Sequence, residues 1–382
     1  MSIKVAYCIP ALYSISGMEK TLTIKANYFA DVLNYKVCII LTDGKGRANA
    51  FALSDKIEVI NLDINYDKIW SYPIHKKSVI YLQKQWLFRK RLTKVLNEIK
   101  PDITVSMLRR EINFITKIKD GSKKVGEMHF NKSNYRDFDK TGSPNIFKTL
   151  LAKLWMNQLV RSLKRLDKFV VLSYEDKEKW VELNNVAVIY NPIANVPSVT
   201  SDCSSKKVVA AGRFVRQKGF DMLIESWKTV YQKHPDWTLT IYGSGNKEAF
   251  QKQVDDNKTT ESCILKDAVL NLDDKFAESS IFAFSSRFEG FGMVISEAMA
   301  SGLPAVAFAC PCGPKDIIED GVNGLLVELG DTEGLAEKIS LLIKNETMRK
   351  EMGRMARIRA ERFGIETIAG EWNELFVSLL VK

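Results

Sequence analysis

The chain has 382 residues, 46% of them hydrophobic, a length that predicts two domains and a composition that excludes extensive disorder. Its net charge of +10 is uneven: residues 1–195 carry 33 Lys+Arg against 19 Asp+Glu and the remainder 23 against 27, so the first half is expected to face something acidic. No apolar run approaches the roughly 20 residues of a membrane span, and no recognition motif accompanies the basic charge to make nucleic acid the partner.

In chain order, Ile3–Pro10 reads as a strand in which Pro10 cuts the apolar run short, and no signal-peptide cleavage pattern follows. Ser16-Gly17 opens a helix over Met18–Leu33, with Ser16 placed to cap it. Lys36–Thr42 and Ile57–Leu62 read as strands and Lys77–Ile99 as a long helix. Asp102–Met107 and Lys123–Met128 are strand-like, Ile146–Leu166 helical, and Lys168–Leu172 and Val186–Tyr190 strands. This alternation predicts βαβ units around a parallel sheet. Asn191–Ser205, with Pro192 and Pro197 in a Ser/Thr/Asp cluster, reads as a linker. The pattern restarts at Lys207–Ala211, then Gln217–Tyr231 as a helix, Trp237–Tyr242, Ile281–Phe284, Ala305–Phe308 and Leu325–Glu328 as strands, and an amphipathic Gly364–Val381. Six sparse cysteines without zinc spacing predict reduced thiols.

Two segments mix cations with Trp, Leu and Phe at helical spacing, His75 to Arg91 and Lys148 to Lys168. Such faces suit an anionic membrane surface, and equally suit ordinary amphipathic helices with lysines in water.

The densest chemistry follows the strand Ser280–Ser285. Ser286-Arg287-Phe288-Glu289-Gly290-Phe291-Gly292 is a glycine loop, and Val294–Ala300 a helix. A helix start beyond a parallel strand offers backbone N–H groups to a phosphate. Glu289 and Glu297, eight residues apart, can accept hydrogen bonds from hydroxyls on either side of it, which describes a nucleotide-sugar. The alternative is a solvated helix start, where acids are common. Gly212-Arg213-Phe214-Val215-Arg216-Gln217-Lys218-Gly219 lies between a strand and a helix. Arg213 and Lys218 there can meet phosphate oxygens, as a forked contact and a compact charge. Ile241-Tyr242-Gly243-Ser244-Gly245 ends another strand.

These segments, in this order, resemble the Glu-x7-Glu, Gly-Arg…Lys-Gly and Gly-x-Gly motifs of the family 4 retaining glycosyltransferases. Val188 to Ile193, Ala307 to Ile318 and Asn323 to Val327 are also similar. The resemblance is specific from about residue 187 onward. It implies an α/β GT-B fold, two Rossmann-like domains facing each other across a cleft. Residues 1–190 would form an acceptor domain and 191–363 a nucleotide-sugar domain, with 364–382 packing back on the first. It implies donor contacts from Gly17, Gly212, Arg213, Lys218, Gly243, Glu289, Phe291, Gly292, Met293, Val294 and Glu297. Glu297 would read the ribose, Glu289 the transferred sugar. His129, at the end of a strand, would lie beside that sugar. Many members have two glycines where this chain has Ser16-Gly17. Catalysis would rest on His129, Glu289, Arg213 and Lys218, with retention of configuration and no covalent nucleophile.

The expected donor is a UDP-sugar, then a GDP-sugar. The expected acceptor is a glycan or lipid-linked saccharide of a capsule or O-antigen type, at the inner face of the cytoplasmic membrane. No cofactor and no metal is expected. Asp137 and Asp139 form an Asp-x-Asp pair, but in a polar stretch rather than at a strand end. The rival readings are a nucleotide-sugar epimerase and a protein that binds a nucleotide-sugar or glycan without turnover.

Overall fold

The computed structural model describes residues 2–134, 146–194, 197–269 and 271–381. Arg136, Asp137 and Asp139 therefore lie outside the described residues. The chain divides into two compact units, the first Met1–Leu172, Asp176–Pro192 and Ile368–Lys382, the second Ser173–Glu175 and Ile193–Thr367.

In the first unit seven strands form one sheet: β1 Lys4–Ile9, β2 Lys36–Leu41, β3 Glu58–Asn61, β4 Ile103–Ser106, β5 Lys123–Glu127, β6 Lys168–Val171 and β7 Val186–Val188. Their order is β3-β2-β1-β4-β5-β6-β7, and every pairing is parallel. The central strands are near-continuous apolar runs because helices cover both faces of a parallel sheet; Val5 to Ile9 are all buried. The order reverses between β1 and β4, which creates a crevice at their carboxyl ends.

Six strands form the sheet of the second unit: β8 Lys207–Ala211, β9 Thr238–Gly243, β10 Cys263–Asp267, β11 Ile281–Phe284, β12 Ala305–Phe308 and β13 Gly324–Val327. The order is β10-β9-β8-β11-β12-β13, again all parallel. Its switch point falls between β8 and β11, where Ile281 pairs with Val208 and Phe282 with Val209. Trp227, Phe276 and Phe282 are fully buried in this unit.

Three of the departures from the sequence expectations follow. The helix after β8 begins at Phe220, not Gln217, because Arg216–Lys218 is a 3-10 turn closed by Gly219 in the left-handed region, φ 63°. Strand β10 has no counterpart in the sequence reading; it is an edge strand whose only fully buried residue is Cys263. The described part of the linker is packed, not loose: Ser201 N–H donates to Ser301 O (2.8 Å), and Arg349 Nε–H to the carbonyl of buried Cys203 (2.9 Å). All six cysteines are buried. No helix among the described residues is long and apolar enough to cross a membrane.

The helix Ile365–Leu380 counts with the first unit from Ile368 onward. There it buries Trp372 and Phe376, with Phe376 5.9 Å from the ring of Phe29 and Asn373 accepting from the Tyr35 hydroxyl.

Candidate functional site

In the second unit, the loops leaving β8 and β11 meet at the switch point. Lys218 Nζ lies 2.7 Å from Glu289 Oε1, and the Ser286 hydroxyl donates to the same oxygen at 2.7 Å. Ser285 Oγ donates to Lys218 O (2.9 Å), so consecutive serines tie both ends of the contact. Two glycines make the approach possible. A Cβ on Gly219 would stand 2.0 Å from Ser285 O, and one on Gly212 would press within 3.2 Å of the Lys218 side chain. Gly243, at the end of β9, passes so close to Gly212 that a Cβ there would lie 2.0 Å from its carbonyl. Gly212, Lys218, Gly243 and Glu289 thus form one packed group, brought together from three strand ends.

Neighbouring residues lock the two loops. Arg287 grips Asp221 through two nitrogens (2.7 and 2.6 Å), and its Nη1 also donates to Arg216 O at 2.8 Å. That grip holds the Asp221 carboxyl below its usual range. Gln217 Nε2 donates to Phe288 O at 3.0 Å. Burial, reinforced by the nearby Glu289 carboxylate, pushes the Cys310 thiol up.

Gly292 adopts φ 94° and opens the helix Met293–Ala300, whose first turn carries Met293 and Val294 half-buried and, one turn on, Glu297 half-buried. Phe291 is buried, and Gly313 packs on its backbone: a Cβ at 313 would lie 1.7 Å from Phe291 O. Arg213 is exposed beside the group. The loops after β8 and β11 thus bring Lys218 and Glu289 together at the switch point, and the same two loops carry Arg213 and the start of the helix Met293–Ala300. The sequence reading placed Ser285 at the strand end, Ser286 and Arg287 in the loop and Gly313 in a family-like segment without giving them a role, and it did not name Asp221.

The first unit holds Gly17 and His129. Gly17 is exposed and is the first residue of the helix Gly17–Asp31. Ser16 stands at the cap position, but its hydroxyl donates to the Glu19 carboxylate and makes no backbone cap. His129 follows β5 by two residues, and its side chain is 5% exposed. Its Nε2 lies 3.1 Å from Glu127 Oε1, and the same oxygen accepts from Lys25 Nζ. Lys25 in turn sits 4.3 Å over the Trp372 ring. Burial alone would raise the Glu127 carboxyl, but Lys25 and then His129 draw it down to about 2. Lys25 and Glu127 were not singled out from sequence. The signal was a lysine inside the buried stripe Leu22, Ala26, Phe29 of its helix.

At the β1/β4 switch point of this unit lies a cavity of about 950 Å³, near the top of the range of about 300–1,000 Å³ usual for ligand pockets. Pro10, Ala11 and Tyr13 after β1, Arg109 and Arg110 after β4, and Phe130 after β5 line it, with Trp155 and Gln158 from the helix Ile146–Leu163. Its carboxylates are Glu19, Asp43 and Asp67. Burial raises the Glu19 carboxyl above its usual range, with Arg109 opposing.

The basic helix Ile74–Ile99 presents Leu82 and Trp86 at 66% and 65% exposure, and Lys90 lies 5.3 Å from the Trp86 ring centroid. Not all of its cations face solvent. Arg91 donates to the carbonyls of Leu62 and Asp63, and Lys84 to those of Ile64 and Asn65. Leu150 and Leu154 are exposed on the second basic helix. Among the described residues, no three His, Cys, Asp or Glu side chains converge as a metal site.

Residues 195–359 match the family model described as glycosyl transferases group 1. The chain is 34% identical over 232 residues to an uncharacterized glycosyltransferase of Haemophilus influenzae, covering 56% of this chain and 64% of that one. It is 29% identical over 263 residues to the poly(ribitol-phosphate) alpha-N-acetylglucosaminyltransferase of Staphylococcus aureus, covering 67% and 51%. The chain thus spans less than two thirds of either relative. Its structure is similar to that of Anabaena HepE in complex with UDP, with a TM-score of 0.75 at 18% identity over 98% of this chain and 100% of that one. The likeness shows the fold, which is GT-B.

Proposed function

We propose that the chain is a retaining, metal-independent glycosyltransferase of family 4 that moves a sugar from a nucleotide diphosphate-sugar to a saccharide acceptor. The observation that carries this reading is the Lys218–Glu289 contact of 2.7 Å at the β8/β11 switch point, beside the start of the helix Met293–Ala300. A cation, a hydroxyl-binding carboxylate and a helix N-terminus at one crevice match the phosphate, sugar and leaving group of such a donor. Arg213 and Lys218 stabilise the charge that grows on the diphosphate, as preorganised donors do in other transferases. They take the part a divalent ion plays elsewhere. Glu297 accepts from the ribose hydroxyls and Glu289 from those of the transferred sugar.

In the step itself, the bond from the anomeric carbon to the β-phosphate oxygen breaks, and the nucleoside diphosphate leaves with the electron pair. The acceptor hydroxyl oxygen bonds that carbon on the same face, and its proton passes to the departing phosphate. His129, held beside Glu127, orients the sugar. UDP is the favoured nucleotide, with GDP next, and the bound UDP of the Anabaena protein supports that order.

The acceptor takes the cavity at the β1/β4 switch point. The name of the staphylococcal relative, whose acceptor is a phosphate polymer, and the positive charge of the first half both support a phosphate-bearing glycan or lipid-linked saccharide. The exposed Leu82 and Trp86 beside Lys90 support work at the inner face of the cytoplasmic membrane.

The test is donor hydrolysis. Purified protein is incubated with UDP-, GDP-, ADP- and dTDP-sugars, with and without EDTA, and free nucleoside diphosphate is measured. Release from one donor, insensitive to EDTA, is expected. No release together with no stabilisation by any nucleotide overturns the reading, and an intact nucleotide-sugar isomer as product points to an epimerase.

A further inference from the structure

A second hollow of about 490 Å³ lies between the 3-10 turn Tyr66–Ser71 and the helix Ile74–Ile99. Tyr66, Ile69, Tyr81 and Leu82 make its walls apolar, and Lys77 and Arg110 line it as cations. Tyr81 and Arg110 also line the 950 Å³ cavity, so the two spaces are neighbours that meet at these side chains. They differ in character. The cavity carries carboxylates, amides and hydroxyls suited to sugar hydroxyls, and the hollow is a groove of aromatic and aliphatic surface that ends at exposed Leu82.

The groove is built rather than incidental. Tyr66 and Tyr81 stand 6.0 Å apart, and Gln85 fixes both: its Oε1 accepts from the Tyr66 hydroxyl at 2.8 Å and its Nε2 donates to the Tyr81 oxygen at 3.1 Å. Arg110 lies at the junction with its guanidinium 4.2 Å over the Tyr66 ring. Stacking occupies the face of a guanidinium and leaves its in-plane N–H groups to meet an anion. Asp43 and Asp67, which line the cavity, are engaged within the fold. Asp43 accepts from Thr42 Oγ1 (2.7 Å) and from Asp67 N–H (3.2 Å), and Asp67 Oδ1 accepts from Lys68 N–H (2.9 Å).

We infer that cavity and groove form one site for an amphiphile, a saccharide joined through phosphate to a lipid chain. The saccharide enters the cavity, Arg110 meets the phosphate, and the groove takes the first part of the chain. The sequence polar space, cation, apolar space is the chemistry of such a molecule in the same order. A soluble glycan would leave the groove without an occupant, and a bilayer phospholipid would leave the cavity without one. The inference rests on the acceptor reading of the cavity.

The test uses the full chain with farnesyl monophosphate below its micelle concentration, against farnesol and inorganic phosphate, read by titration calorimetry. Farnesyl phosphate is expected to bind about tenfold or more tighter than farnesol, the scale of one hydrogen bond to a charged group. Arg110→Gln removes that preference and leaves farnesol binding intact, and Leu82→Glu, on an exposed position, weakens both. Equal affinity for phosphate and alcohol, or a preference that survives Arg110→Gln, overturns the phosphate assignment. Unchanged binding in Leu82→Glu overturns the groove, as does binding to phosphatidylglycerol vesicles with none to farnesyl phosphate. UDP-induced thermal stabilisation, measured in parallel, reports the other unit. Wild-type protein that binds farnesyl phosphate and ignores every nucleotide keeps the lipid site and loses the transferase.

Discussion

Lys25 and Glu127, 102 residues apart in the chain, form an ion pair in which each side chain is 1% exposed. Neither charge reaches bulk water, and Glu127 Oε2 has no hydrogen-bond partner. The pair persists because each charge neutralises the other and Trp372 covers the ammonium. Removing one member leaves the other buried alone. Lys25→Met and Glu127→Gln are each expected to destabilise the first unit by about 3–5 kcal/mol, and the double variant to recover much of that. Urea unfolding of the four proteins measures the cycle; additive losses would show that the two residues do not act as a pair.

The same pair sets an acid limit. The folded Glu127 carboxyl is held at about 2 against 4.5 unfolded, so its contribution is fully present above pH 4.5 and is lost as pH falls toward 2. Burial pulls the Lys25 ammonium down even against the attraction of Glu127. Thermal midpoints between pH 2 and 6 should fall more steeply in wild-type protein than in Lys25→Met/Glu127→Gln. Parallel curves would remove Glu127 from the account.

At the donor site, Arg213→Ala and Lys218→Ala should each lower turnover by about 10²-fold, the scale for a lost oxyanion donor. Arg213 is exposed, so its removal should leave the thermal midpoint unchanged. Wild-type rates in both variants would sink the phosphate assignment.

Gly219→Ala tests the geometry without touching charge. Its Cβ would fall 2.0 Å from Ser285 O on a backbone with φ 63°. The loop must move, with a cost above about 1 kcal/mol and loss of the UDP-induced shift in melting. A variant that melts and binds UDP like wild type would mean the two loops need not touch.

For the proposed membrane contact, Leu82→Ser/Trp86→Ser should weaken binding to anionic vesicles, and raised salt should weaken what binding remains. Arg91 is a poor probe, because its guanidinium anchors Leu62 and Asp63. Unaltered vesicle binding would assign those side chains to some other surface.

Strands β8, β11 and β12 stand where the sequence places them, because a strand covered on both faces must be apolar along its length. Edge strand β10 escaped, since only one of its residues needs burial. The glycine loops were legible as turns between strand and helix. Their partners were not: Gly219 against Ser285 and Gly313 against Phe291 join segments that share no local pattern. The pairing of Lys25 with Glu127 was hidden for the same reason. Each reads as a polar position on its own element, and only the fold makes them neighbours.

The helix Ile365–Leu380 supplies Trp372 and Phe376 to a core otherwise made from the first half of the chain. During synthesis, ribosomal output runs through the entire second unit before that helix emerges. The nascent first unit must wait with the Lys25 ammonium uncovered and an apolar slot open beside Phe29. Domains usually mature in the order they are made; here the later-made unit can finish first. A chain cut short before Ile365 would leave the core of the first unit incomplete, although every other residue of that core had been made.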